Sequence, residues 1–176
     1  MPDQAAAKQY LHDRNVTFNK DYFWSNLTEG YLDVVEAFLK LGMSPNTLAS
    51  GRSDTPLMFT TMYCSEAGEA QMSLLLLIYG ADPNVKDDVN RSAIHAAAEH
   101  CPAVVVKALL MAGARTNDVT NGGSTVLSSA VGSNDPEIVR MILNSGYKIK
   151  NEPSYLLSSA KNAEIKQMLI KAGVKK

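Results

Sequence analysis

The residues of this chain with the most chemical reach stand together in HAAAEHC, from His95 to Cys101. His95 and Glu99 are one helical turn apart, and His100 and Cys101 follow directly. Imidazole, carboxylate and thiol side by side could ligate a transition metal or support a thiol nucleophile. The spacing matches no zinc motif, and a set of Cys64, Cys101 and His100 lacks an evident fourth ligand. TNGGST (Thr120–Thr125) has neither the lysine nor the spacing of a phosphate-binding loop. The three histidines and the surface acids compose neither a Ser–His–Asp nor a paired-carboxylate arrangement. The expectation is no catalytic residue, no metal and no cofactor; the chain reads as a protein that is not an enzyme.

The chain has 176 residues, 45% of them apolar, enough for one domain or one array of smaller units. Seventeen basic and eighteen acidic residues leave a formal charge of −1, so no global field favours nucleic acid or an acidic membrane. Apolar runs fall far below the roughly 18 residues of a membrane span, which predicts no membrane insertion. The N-terminus has no apolar signal-peptide core. Met1 is then either the natural start of a cytoplasmic protein or a start placed on an exported protein already trimmed.

What positions the reactive residues is a repeat. Apolar stretches close on Gly42, Gly80, Gly113, Gly146 and Gly173, at spacings of 38, 33, 33 and 27. Upstream of these lie SDTPLM, NRSAIH, GGSTVLSSA and EPSYLLSSA. Each unit reads as two helices. A hydroxyl caps the first (Thr55, Ser92, Thr125), and small residues such as Ala96–Ala98 and Ser128–Ala130 follow. The second helix carries paired apolar positions: Val34, Val35, Phe38, Leu39; Val105, Val106, Leu109, Leu110; Ile138, Val139, Ile142, Leu143. A glycine then supplies the left-handed residue that ends it. One unit cannot bury both faces, so the units must stack.

The Thr-Pro-Leu opening, Gly30-Tyr31-Leu32-Asp33-Val34-Val35 between helices and the Gly-Ala-Asp-Pro-Asn close resemble the ankyrin repeat family from about Asn19 to Val174. The chain looks like a small stand-alone bacterial ankyrin repeat protein. That implies an all-α solenoid of about five helix-turn-helix repeats joined by short β-hairpin turns. Their bounds are about 17–49, 50–86, 87–119, 120–149 and a cap at 150–176, behind an N-terminal helical extension at 1–16 (the helix over Ala5–Asn15). In the family pattern His95 is a structural histidine bonding backbone across the hairpin, and Trp24 takes its place in repeat one, as core.

Two intervals break the period. Repeat two has four surplus residues, Ser65–Gly68, in its inter-helix turn, open to drift or to a partner contact. The last repeat is shortened, as suits a cap. Cys64 and Cys101 lie nine residues after Thr55 and Ser92. Equivalent positions on helices roughly 8–10 Å apart exceed the ~7 Å Cα limit for a disulfide, so none is expected unless the surplus residues relax that distance.

The resemblance also implies a concave face binding a folded protein. Its contact positions fall on Thr28 and Glu29; Arg52, Asp54, Met62 and Tyr63; Asp88, Val89, Arg91, Glu99 and His100. Repeat four offers the blander Asn121, Gly122, Ser124, Gly132 and Ser133. Hot spots favour tyrosine and arginine, which centres the face on Arg52, Met62, Tyr63 and Arg91. The expectation is a protein monomeric when unbound that inhibits an enzyme, in the concrete case an immunity factor against a cell-wall hydrolase; the resemblance leans towards the periplasm. A structural scaffold or assembly factor is one alternative, a redox or metal-responsive sensor using Cys64 and Cys101 another. In SLLLLIYGADPN, Leu74 stands where the neighbouring repeats place Lys107 and Arg140, the one odd residue of its run.

Overall fold

The computed structural model describes residues 2–64, 67–149, 152–153 and 155–175. Among them it has eleven helices and no strand beyond an isolated bridge between Val119 and Thr125. The first helices of the repeats are α2 (Lys20–Thr28), α4 (Pro56–Met62), α6 (Ala93–His100), α8 (Val126–Gly132) and α10 (Leu156–Ser159). The second helices are α3 (Leu32–Lys40), α5 (Ala67–Ile78), α7 (Ala103–Met111), α9 (Pro136–Asn144) and α11 (Ala163–Ala172). Ahead of them lies α1 (Pro2–Asp13), which packs on α3 as α3 packs on α5 and α5 on α7. It therefore behaves as the second helix of an incomplete leading repeat. Ala7 and Leu11 supply its buried face, and the Tyr10 hydroxyl donates to the Asp33 carboxylate on α3.

Local chemistry sets the helix starts. The Asn19 side chain accepts from the backbone N–H groups of Asp21 and Tyr22, and Thr55 accepts from Met58 with Pro56 in the first turn. Ser92 with His95, and Thr125 with Ser128, form reciprocal capping boxes. At the close of α5, Gly80 takes φ +83°, which lets Gly80 N–H reach Leu77 O and Ala81 N–H reach Leu76 O. Asn15, at φ +54°, closes α1 with the same bond, from Val16 N–H to Leu11 O.

The core runs unbroken between the two helix rows, from Phe23, Val35 and Phe38 through Leu57, Met72, Leu76, Ile94, Val106 and Leu109 to Leu127, Ile138, Ile142, Ile165 and Leu169. Leu77, Leu110 and Leu143 lie at its outer edge and are only partly covered. Leu74 is not the exposed residue of its run: it packs against the core, while Ile78 is 79% exposed and its counterpart Met111 80%. Of the surplus turn, Ser65 and Glu66 lie outside the described residues, whereas Ala67 and Gly68 open α5. That helix has 12 residues against 9 in α3, α7 and α9, so part of the insertion is spent on an extra helical turn.

An asparagine near the end of each of the first three repeats ties it to the next. Asn46 Oδ1 accepts Asp82 N–H at 2.9 Å, Asn84 Oδ1 accepts Arg115 N–H at 2.8 Å, and Asn117 Oδ1 accepts Lys148 N–H at 2.7 Å. Asn84 also donates to Gly113 O at 3.1 Å. These bonds satisfy backbone groups in loops that have no helix ladder to do so.

Candidate partner-binding face

The first-helix row packs closely because the residues between its members are small: Thr60 and Thr61 on α4, Ala97 and Ala98 on α6, Ala130 on α8. The ends of these first helices and the hairpin tips beside them lie along one side of the array.

Repeats one and two supply the most structured part of this face. Arg52 is held by Asp54 through two bonds, Nε to Oδ1 at 2.9 Å and Nη2 to Oδ2 at 2.6 Å. This carboxylate raises the guanidinium pKa further above its ordinary value. The guanidinium carbon lies 4.9 Å from the ring centroids of both Trp24 and Phe59, within cation–π reach. Trp24 meets Phe59 edge-on at 5.9 Å, and Phe59 meets Tyr63 at 4.8 Å. Tyr63 is 54% exposed, Met62 half-buried. Arg52, Asp54 and Tyr63 are thus brought into one cluster with two aromatic residues. Phe59 was not among the sequence-derived positions, although its spacing of four from Tyr63 on one helix was a usable signal.

Trp24 is buried, and its indole Nε1–H donates to Thr47 O at 2.8 Å, 23 residues on. His95 is also buried, and its Nε2 lies 3.2 Å from Asp118 O, again 23 residues on. The two rings therefore do one job in different repeats, bonding the hairpin carbonyl from inside. Ser92 N–H donates to His95 Nδ1 at 3.3 Å, which makes Nδ1 an acceptor and puts the ring hydrogen on Nε2. Burial lowers the imidazole pKa from its ordinary 6.5, against the opposing pull of Asp118.

Repeat three presents a stiffened tip. Asp87 Oδ2 receives Arg91 Nη2 at 3.0 Å and Nε at 3.1 Å, while its Oδ1 receives the N–H groups of Val89 and Arg91. Asp88 and Val89 are exposed, and their carbonyls accept Asn121 Nδ2 and Asn121 N–H at 3.2 and 2.9 Å. Glu99 and His100 are exposed at the end of α6, with the Glu99 side chain lying beside Gly132. Thr28 and Glu29 end α2 in the corresponding place, though the Thr28 hydroxyl turns back to Ser25 O. Arg52 and Arg91 are both neutralised within their own hairpins. Among the described residues no cation pairs with Glu29, Asp88 or Glu99.

Cys64 and Cys101 correct the sequence expectation: they are disulfide-bonded, with Cα atoms 4.8 Å apart. Both follow the last residue of their helices, so the separation of helix axes does not limit them. The bond uses both thiols, and among the described residues no three metal-ligating side chains cluster.

The ankyrin-repeats family model matches residues 61–153 in three copies, more than half of the chain. The chain belongs to the ankyrin repeat family. An ankyrin repeat-containing protein of Treponema pallidum is 30% identical over 80% of this chain. Ankyrin repeat proteins of fowlpox virus and Acanthamoeba polyphaga mimivirus are 27% and 29% identical over 75% and 65%. The chain spans 46%, 20% and 19% of those relatives. Ankyrin repeats mediate protein–protein interaction and are generally not enzymes. Among the described residues no helix of this ankyrin array is long and apolar enough to cross a membrane.

Proposed function

We propose that this ankyrin array binds one folded protein across its concave face and acts without catalysing a reaction itself. The observation that carries the reading is the Arg52–Asp54–Tyr63 cluster, an arginine and an exposed aromatic fixed in place before any partner arrives. Pre-ordered side chains lose little entropy on binding, and tyrosine and arginine dominate interface energies. Glu29, Asp88 and Glu99 flank the cluster and favour a partner with basic side chains at the contact. In its concrete form the partner is an enzyme and the array its inhibitor, an immunity factor against a hydrolase such as one that cuts cell wall.

The test is retention of a partner from the native cell extract by the tagged protein, with the tyrosine-to-alanine variant Y63A and R52A beside it. A stoichiometric partner whose activity falls on adding wild-type protein, and that the variants retain at least tenfold less well, is the expected result. Equal retention by variants and wild type would remove the assigned face. A partner whose activity is unaffected would leave binding and remove inhibition.

A scaffold role is the second reading, favoured by Ile78 and Met111, both largely exposed on the second-helix row. Light scattering separates the two: a homo-oligomer lost on changing both to serine supports the scaffold, and a monomer refutes self-assembly.

A further inference from the structure

Nine residues after Thr55, Ser92 and Thr125 stand Cys64, Cys101 and Asn134, and Gly30 is their counterpart in repeat one, six residues after Trp24 as Cys101 is six after His95. In repeats one and four this residue makes a left-handed turn, with φ +78° at Gly30 and +59° at Asn134. The side chain of an ordinary L-residue crowds the backbone there, a strain that glycine avoids and asparagine tolerates. Neither cysteine adopts that conformation, and Cys101 leaves its helix extended, at φ −95° and ψ 156°. Neither cysteine position thus makes the turn that its counterparts in repeats one and four make, and the disulfide stands in its place.

The bond lies directly behind the proposed contact residues. Cys64 follows Met62 and Tyr63, and Cys101 follows Glu99 and His100; both sulfur-bearing residues are buried while Tyr63 and His100 are exposed. Cys64 also begins the lengthened connection to α5. In a repeat array each unit is held mainly by contacts with its neighbours, so a covalent bond between two first-helix ends fixes a spacing that packing alone leaves adjustable.

We propose that the Cys64–Cys101 pair is a thiol–disulfide site that sets the partner-binding face, ordering the Tyr63 and His100 segments when oxidised and releasing them when reduced. This rests on the assignment of the concave face made above. Formation needs a disulfide oxidant. One cysteine thiolate attacks an oxidant sulfur and expels one thiolate; the second cysteine displaces the other and loses its proton to water. The oxidant ends as two thiols carrying the two electrons. A dithiol reverses the exchange, taking up the disulfide itself and returning two thiols to the chain.

The test compares the full chain oxidised with glutathione disulfide, the same chain reduced with dithiothreitol, and the double variant C64S/C101S, by thiol titration in denaturant and by amide hydrogen exchange of the native protein without any partner. The expectation is no titratable thiol in the oxidised protein. Exchange over 61–74 and 99–105 should quicken by about tenfold or more on reduction, with α9 and α11 changing less than about twofold. Free thiols in the oxidised protein, unchanged exchange, or uniform quickening along the array would each overturn the proposal. Should the serine pair not fold, C64G/C101G serves, since glycine can make the turn of Gly30; protection regained relative to the reduced protein supports the substitution of bond for turn, and none refutes it. Binding is read separately, with a partner recovered on the tagged chain. A partner that binds both redox forms equally overturns the switch and leaves the face intact. Y63A that binds as wild type removes the face, while the exchange result still stands or falls alone.

Discussion

Replacing His95 by leucine should destabilise the array by about 2–6 kcal/mol and remove a pH dependence that wild-type protein shows. The imidazole is 2% exposed and accepts from Ser92 N–H at 3.3 Å while its Nε2 faces Asp118 O at 3.2 Å. Leucine nearly fills the volume and bonds neither group. Two buried backbone groups then lose their partners at about 1–3 kcal/mol each. Against a total stability of about 5–15 kcal/mol this is a large fraction. The pH effect follows from the depressed imidazole pKa. Between that lowered value and the ordinary 6.5, the unfolded chain binds a proton that the folded ring refuses. This contribution is therefore full above pH 6.5 and is lost as pH falls through that window to the folded value. The charged groups that act on the ring are Asp118 and Lys86, which oppose each other and are themselves paired at 3.2 Å. Urea unfolding at intervals from pH 7.5 to 5 measures both effects. H95Q, which can keep one bond and cannot titrate, should fall between wild type and H95L in stability with a flat difference curve. Parallel pH profiles for wild type and H95L, or a cost below about 1 kcal/mol, would refute the assignment of a neutral, doubly bonded histidine.

Asn84→Ala removes the bonds to Arg115 N–H and Gly113 O; thermal unfolding should show a loss of about 1–3 kcal/mol. Trp24→Phe keeps most of the buried ring area but orphans Thr47 O, and a cost of about 1–3 kcal/mol in denaturant unfolding is expected, with lost protection at the 46–52 hairpin. Gly80→Ala meets no atom within 4 Å, so its cost is backbone strain alone, about 1–2 kcal/mol at φ +83°, and calorimetry should find no more. Leu76→Ala, at a fully buried position between α5 and its neighbours, should cost about 2–5 kcal/mol by urea unfolding.

Features that local chemistry enforces were readable in the sequence. Thr55-Pro56 opens α4, Ser92 opens α6 and Gly80 closes α5, because capping and left-handed turns depend on a few consecutive residues. The same reasoning would have found the close of α1 had asparagine been searched beside glycine, since Asn15 adopts the left-handed turn there. The core stripe was legible in its inner positions and overstated at its edge: Leu77, Leu110 and Leu143 have the right spacing, but the neighbouring second helices leave one side of them uncovered. Whether Leu74 is covered stayed open in the sequence for the same reason, since sequence position gives the helix face and not the neighbour that covers it; in the structure it packs against the core.

The candidate site divides along the same line. Residue types and periodicity determined which side chains stand at helix ends and hairpin tips, because the repeat fixes register along the chain. Only the tertiary structure joined Arg52 to Asp54, Phe59 and Trp24, since those contacts depend on side-chain torsions that no spacing encodes, and the one to Trp24 crosses from repeat two to repeat one. Only it, too, brought Cys64 and Cys101 to 4.8 Å. Helix-axis spacing was the wrong measure for two residues that lie past their helices. Local residues set where a helix ends, but how close the ends of two neighbouring helices come is set by the packing between their repeats.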